Sequence, residues 1–128
     1  DSGDTRMITV EIRKDESGLI ASIIVSGHSG YKEEGADIIC SAASTLVYTA
    51  IGALDDLCGL SDFYRISADE KSEIFLSQEE LAKGKESVSQ IILQTTRIGF
   101  LQLEMSVFED YGDQYVRVIE IIDEKLEV

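Results

Sequence analysis

Apolar and polar residues alternate in two segments near the start of the chain, and this pattern of period two predicts β-strands. In residues 7–13, every second residue from Ile8 to Ile12 is apolar, which is typical of a strand with one buried face. Residues 19–26 are rich in Ile and Val, and residues 15–18 between the two segments have the composition of a turn. The sequence therefore predicts a β-hairpin.

Two later segments carry apolar residues at intervals of three and four positions, which predicts two long helices. The first segment covers residues 39–57, with Asp37 as a candidate N-cap and Gly59 in the position of the left-handed residue that ends a helix. The second covers residues 87–108 and is ended by Gly112. Small residues flank the apolar stripe of the first helix, as expected for a helix packed closely on a sheet.

The remaining segments complete the pattern of a mixed fold. Residues 63–68 and 73–76 predict two further strands, residues 79–83 a short helical turn, and residues 115–122 a last strand. The resulting order is β-β-α-β-β-α-β. It predicts an α+β fold, a two-layer sandwich with the helices packed on one face of the sheet.

The length of 128 residues fits one domain and not two. We assign residues 7–128 to that domain. Residues 1–6 are small and polar and precede Met7, which has the character of a natural start. We therefore expect residues 1–6 to be an expression remnant outside the fold.

The charge balance narrows the expected partners. The chain has 25 acidic residues against 11 lysines and arginines, a net charge of −14. Such a surface repels phosphate backbones and attracts basic partners, so we expect no direct binding to nucleic acid, although solubility alone explains the charge equally well. No apolar run approaches the roughly 18 residues of a membrane span, and we find no signal-peptide pattern. We expect a cytoplasmic protein that does not bind a membrane.

His28 and Cys40 are the candidates for chemistry. His28 lies in a loop, residues 27–35, whose three glycines and five polar residues predict mobility. Cys40 falls in the first turn of the first predicted helix, where unpaired amides and the helix dipole favour a thiolate over a thiol. A loop of this length can fold back and place imidazole beside thiol, which supplies the parts for covalent acyl transfer. Asp37 can cap the helix, orient His28 or hold a substrate.

Structural roles compete with this interpretation. A cysteine in a buried helix is most often a small apolar side chain, so the spacing alone does not establish catalysis. Cys58 lies at the other end of the helix, where the dipole disfavours a thiolate, and we expect it to be structural. Cys40 and Cys58 are about 27 Å apart along one helix and cannot form a disulfide. The sequence has one histidine and none of the usual metal-ligand spacings.

Residues 27–44 read GHSGYKEEGADIICSAAS. This segment resembles the signature of the ribosomal-processing cysteine protease family Prp, in which Gly-His-Ala and a glycine-containing loop precede Gly-x-Asp-Ile/Val-x-Cys-Ala-Ala-x-Ser. The resemblance extends over residues 7–122. Two positions depart from it, because Ser29 and Ser41 stand where the family has alanine, and both remain small. The Gly-His pair and the spacing from His to Cys match, as do Gly35, Asp37, Ile38, Cys40, Ala42 and Ser44.

The resemblance implies a Prp-like cysteine protease domain with Cys40 as the nucleophile and His28 as the general base. It gives Asp37 and Ser44 a role in substrate binding or in support of the site. It also implies homodimers, and no metal or organic cofactor. The loop expected to be mobile contains Ser29, Gly30, Tyr31 and Gly35.

The resemblance further implies a substrate. The family removes a short N-terminal extension from a basic protein of the bacterial large ribosomal subunit (number twenty-seven), and cleavage follows an aromatic stretch. We therefore expect an apolar pocket beside Cys40. The acidic surface of the chain suits a basic substrate, since opposite charges speed encounter.

Two other functions are compatible with the residues. One is a non-catalytic binding module, an acidic homodimer that holds a basic ribosomal protein during ribosome assembly. The other is a redox-sensing thiol at Cys40, which the lack of a nearby resolving cysteine disfavours. Only the protease hypothesis requires peptide cleavage that depends on Cys40.

Overall fold

The computed structural model describes residues 7–27, 36–69, 71–112 and 115–123. Its first two strands, β1 (Ile8–Lys14) and β2 (Ile20–Ser26), form the expected antiparallel hairpin. The carboxylate of Asp15 closes the turn by accepting hydrogen bonds from the backbone amides of Ser17 at 2.9 Å and Leu19 at 3.0 Å.

Three more strands complete a sheet of five. These are β3 (Tyr64–Ile66), β4 (Ser72–Phe75) and β5 (Val116–Ile122), and the order across the sheet is β3-β4-β2-β1-β5. The pair β1–β5 is parallel, and the other neighbours are antiparallel. This order leaves β3 and β5 at the two edges, each with one side unpaired by another strand of the described chain.

In the described part of the chain, two long helices and one short helix accompany the sheet: α1 (Ala36–Cys58), α2 (Gln78–Leu81) and α3 (Val88–Tyr111). Alternate residues of β1, β2 and β4 are buried, and together with Val116 of β5 and one face each of α1 and α3 they form a single core. The α+β two-layer sandwich predicted from the sequence is therefore confirmed. The largest fully buried core side chains include Phe100, Ile8, Ile12, Ile20, Ile23, Leu54, Ile74 and Leu93.

Helices α1 and α3 pack against each other as well as on the sheet. Gly99 of α3 allows a close approach, because a Cβ atom at this position would lie 2.8 Å from Cδ2 of Leu46 on α1. The two helices end as predicted. Gly59 and Gly112 both adopt a left-handed conformation, and the amide of Gly59 donates to the carbonyl of Asp55 at 3.0 Å.

Several element boundaries differ from the prediction. Helix α1 begins at Ala36, so Asp37 lies inside its first turn and the prediction of Asp37 as N-cap is wrong. Helix α3 continues three residues beyond the last apolar position, because nothing stops a helix before Gly112. Strand β3 is shorter than predicted, since the chain turns back to β4 through a bond from the amide of Ser67 to the carbonyl of Lys71.

Helix α1 is long and apolar enough to cross a membrane by length and composition, with a mean hydropathy of 1.5 over Ile38–Cys58, of which 28% is buried. Serines and threonines interrupt this segment, so it contains no unbroken apolar run of the length of a membrane span. Length and composition are weak support for a span, since the core helix of a globular domain passes the same test.

Candidate active site

Strand β2 is followed by Gly27 and then His28, and the backbone at Gly27 accepts a side chain only with strain. Gly27 has φ of 96°, and a Cβ atom there would lie 2.2 Å from the carbonyl oxygen of Met7. Both facts require glycine, because a side chain would be strained by the dihedral angle and would collide with the backbone. The start of β1 and the end of β2 therefore fix the point from which the segment containing His28 departs.

Cys40 is the fifth residue of α1, one turn from the start of the helix. The prediction that it lies within the first turn is therefore wrong by one position, since the helix begins earlier than an Asp37 cap would allow. Helical side chains tilt towards the N-terminus, so the thiol of Cys40 is directed over the first turn, whose amides lack helical partners. Cys40 is half-buried and packs against the core.

Ser44 follows Cys40 by one turn and is also half-buried. Eleven residues make slightly more than three turns, so Ile51 and Asp55 continue the rows of Cys40 and Ser44 along the same flank of α1. Leu46, which meets Gly99 of α3, lies on the opposite flank. The thiol is thus on the side of α1 that faces away from α3.

The remaining predicted site residues lie outside the described residues. These are His28 and the loop residues Ser29, Gly30, Tyr31 and Gly35, together with the side chain of Asp37, whose backbone belongs to α1. The distance between the imidazole and the thiol, the mobility of the loop and the apolar pocket beside Cys40 therefore stay predictions.

Cys58 has a different environment from Cys40. It is the last residue of α1 and lines a cleft of about 440 Å³ with Glu80 and Lys83. Burial raises the pKa of the Cys58 thiol, and the negative charge of Glu80 raises it further, against a smaller opposing effect of Lys83. A raised pKa disfavours the thiolate, which is the reactive form of a cysteine.

Within residues 7–27, 36–69, 71–112 and 115–123, no three His, Cys, Asp or Glu side chains are grouped so that they could hold a metal ion. The described part of the site has a thiol one turn inside a helix, an arrangement suited to nucleophilic chemistry.

Comparison with known proteins supports this chemistry. The sequence model of the family described as Cysteine protease Prp matches residues 7–115. A curated relative from Staphylococcus aureus strain Mu50, named Ribosomal processing cysteine protease Prp, is 29% identical over 107 residues, which cover 84% of this chain and 93% of the relative. The protein of the same name from Bacillus subtilis strain 168 is 25% identical over 107 residues, covering 84% of this chain and 92% of the relative.

Solved structures share the fold. SMU.848 from Streptococcus mutans superimposes with a TM-score of 0.77 at 23% identity and covers 94% of this chain and 99% of its own. The Prp protease of S. aureus, crystallised with a covalently linked product peptide, gives a TM-score of 0.64 at 25% identity and covers 89% of this chain and 99% of its own.

The family model covers most of the described chain, and the two curated relatives match over nearly their whole length. The protein therefore belongs to the cysteine protease Prp family and is a cysteine-type endopeptidase.

Proposed function

We propose that Cys40 is the nucleophile and His28 the general base of this peptidase. The observation that carries the proposal is the position of Cys40, half-buried one turn inside α1, with its side chain directed over the unpaired amides of the helix start. His28 follows Gly27, which lies close to the backbone of Met7. Cys58 is a poor alternative nucleophile because its pKa is raised.

The proposed reaction proceeds through a thioester. The imidazole of His28 takes the thiol proton of Cys40, and the sulfur attacks the scissile carbonyl carbon. Amides near the start of α1 stabilise the negative charge that develops on the carbonyl oxygen. The C–N bond breaks as the imidazolium donates its proton to the leaving amine. Water then attacks the thioester, gives a proton to His28 and releases the acid together with the thiol.

The substrate we propose is the basic protein number twenty-seven of the bacterial large ribosomal subunit, from which the enzyme removes an N-terminal extension. Two observations support it: curated relatives carry the name ribosomal processing protease, and the net charge of −14 favours a basic partner. We assign Asp37 and Ser44 to substrate binding or support of the site, and we place the enzyme in the cytoplasm.

We also propose that the chain forms a homodimer through α3. Apolar side chains recur along the outer face of this helix at intervals of three and seven residues, and every one of them is more than half exposed. The spacing matches that of helices that pack side by side, so a second copy offers a complementary stripe. This outer stripe of α3 consists of Val88, Ile91, Ile98, Met105 and Phe108.

The proposed cleavage is tested with a synthetic peptide that carries the extension and the first residues of the mature ribosomal protein. Mass spectrometry should find one cut with the unmodified enzyme and none with Cys40→Ser or His28→Ala. The substitution at Cys40 changes little volume, so circular dichroism should show an unchanged fold.

Cys58→Ser is the matched control, because it makes the same change at the other end of α1. This variant should keep the activity of the unmodified enzyme. Equal cleavage by Cys40→Ser would overturn the assignment of the nucleophile, and normal turnover by His28→Ala would remove the general base.

A further inference from the structure

The edge strand β3 presents unpaired backbone groups to the surface. The amide of Phe75 donates to the carbonyl of Phe63, and the amide of Ser67 donates to the carbonyl of Lys71. Every second residue of this segment therefore forms its backbone hydrogen bonds towards β4. Tyr64 and Ile66 lie between these positions, and their amides and carbonyls point away from β4. Among the described residues nothing pairs with them, which makes β3 a template for an added strand.

A groove runs beside this edge. It has a volume of about 570 Å³ and lies between α1, which contributes Ile51 and Asp55, and the segment from Leu60 to Ile66. Tyr64 and Ile66 are paired in register with the buried residues Ile74 and Ser72, so their side chains project on the helix side of the sheet. They remain about two-fifths exposed because the sheet extends beyond α1.

The groove is acidic. Asp55 and Asp62 line it, and neither makes an ion pair with a described residue. Arg65 also lines it, but its guanidinium group lies over the ring of Phe75 and 3.5 Å from the carboxylate of Glu73. The two unpaired carboxylates therefore favour a basic occupant.

The same flank of α1 carries the thiol and the groove. Ile51 and Asp55 continue the rows of Cys40 and Ser44, at about 16 Å and 22 Å from Cys40 along the helix. An extended peptide advances about 3.3 Å per residue, so a chain leaving Cys40 along this flank reaches the groove after about five residues.

We propose that this α1–β3 groove binds an extended, basic segment of the substrate that lies beyond the scissile bond, with its backbone paired to β3. The inference rests on the proposed function, in which the basic body of the ribosomal protein follows the excised extension. Lysine or arginine side chains of the added strand pair with Asp55 and Asp62, and apolar ones pack on Tyr64 and Ile66.

A second copy of the chain is a poorer occupant than a basic peptide. Pairing two β3 edges would bring Asp55 and Asp62 of one copy near the same carboxylates of the other, and like charges disfavour that contact. The negative charge of the groove therefore favours a basic peptide as its occupant.

The first test uses peptide length. Two peptides share the cut site and the aromatic stretch before it, and one has eight residues after the cut, with lysines at the fifth and seventh, while the other ends after the fourth. Loss of the distal residues should raise KM about fivefold to tenfold and leave kcat nearly unchanged, because the lost contacts are few and solvent-exposed.

The second test uses charge. Asp55→Asn/Asp62→Asn should abolish the advantage of the longer peptide, and replacing its two lysines by glutamine should do the same with the unmodified enzyme. Asp56→Asn/Glu16→Gln is the control, since it removes the same charge from exposed positions outside the groove. If this control loses the advantage equally, net charge and not the groove is responsible.

The third test measures binding without turnover. With Cys40→Ala and the longer peptide, hydrogen exchange should slow at the amides of Tyr64 and Ile66. N-methylation of every second distal residue of the peptide should weaken binding if the methylated amides face β3. Methylation of the intervening amides, which face away from β3, should not.

The outcomes separate the two proposals. Cleavage of both peptides with equal KM, and unchanged exchange at β3, would overturn the groove and leave the proposed function intact. Protection of β3 without cleavage of either peptide by the unmodified enzyme would support the groove as a binding site and contradict the proposed substrate.

Discussion

At the scale of single residues, two glycines with similar backbone angles lie in different surroundings. Gly18 and Gly27 both adopt positive φ angles, 92° and 96°. An added Cβ meets nothing within 4 Å at Gly18, whereas at Gly27 it would meet the carbonyl oxygen of Met7. Only Gly27 is therefore fixed by tertiary contact as well as by its backbone angle.

Gly27→Ala should destabilise the fold by about 2 kcal/mol or more, because strain from the positive φ adds to a backbone collision. Activity should fall with it, since the displaced backbone leads directly into His28. Gly18→Ala has the strain without the collision and should cost about 1 kcal/mol with activity retained. Urea unfolding and peptide cleavage measure both effects, and equal losses in the two variants would contradict this explanation.

For the two cysteines, the sequence predicts the positions but not the environment of each thiol. Their spacing along one helix is evident from the sequence, and both lie on α1 as expected. The sequence cannot reveal that burial and the charge of Glu80 raise the pKa of Cys58, because Glu80 approaches from α2, beyond two strands of intervening chain.

At the scale of elements, a buried glutamine joins helix α3 to the sheet. Gln90 of α3 accepts a hydrogen bond from the amide of Ile20 at 2.6 Å and donates one to its carbonyl at 3.1 Å. Ile20 begins β2 and is fully buried, so water does not replace these bonds. A glutamine inside an apolar helical stripe thus completes the strand where its own ladder is interrupted near the hairpin turn.

Gln90→Leu should destabilise the protein by about 3 kcal/mol, since it leaves a buried amide and a buried carbonyl unsatisfied. As a control, Thr49→Leu, at an exposed position of α1 away from the outer stripe of α3, should change stability by less than about 0.5 kcal/mol. Chemical denaturation of the two variants provides the comparison. A small cost at Gln90 would show that water reaches Ile20.

An ion-pair network ties β1, β5 and α3 together and makes stability depend on pH. Glu120 lies 2.5 Å from Nζ of Lys14 and 3.0 Å from Nε of Arg97. The hydrogen bond from Lys14 is the main cause that holds the pKa of Glu120 below its ordinary value of 4.5. A lowered pKa stabilises the fold above pH 4.5, and this contribution disappears as the pH falls through the lowered value.

Glu120→Gln should therefore cost about 1 kcal/mol at pH 7, and the difference from the unmodified protein should shrink progressively below pH 4.5. Thermal unfolding of both proteins from pH 7 to pH 3 measures it. A difference that stays constant across this range would mean that hydrogen-bond geometry, and not charge, stabilises the junction.

At the scale of the whole molecule, the outer stripe of α3 is an apolar surface that packing within one copy of the chain leaves exposed. Its five apolar side chains face away from the core, although the net charge of −14 opposes association. A stripe that is buried between two copies removes this exposed apolar surface from water.

Ile98→Lys should convert the proposed dimer to a monomer, so that sedimentation equilibrium gives 14.1 kDa and not twice that mass. Thr49→Lys introduces the same charge at an exposed position of α1, outside the stripe, and it should leave the dimer intact. Sedimentation of the unmodified protein as a monomer would contradict the proposed homodimer directly.

The sequence by itself determined which segments are strands and helices, the α+β order, and the Gly-His and Cys motif that carries the family. These features are local, because strand and helix periodicity and the motif each occupy neighbouring residues. It misplaced the start of α1, since the apolar pattern begins only at Ile39 while the helix already begins at Ala36.

Only the tertiary structure decided which residues from distant segments meet. It placed Met7 against Gly27, joined Gln90 to Ile20, and left β3 open beside the flank of α1 that carries Cys40. The physical reason is that sheet order and helix packing are set by burying one shared core. No local pattern of β3 says that it forms an edge, and none relates it to the cysteine.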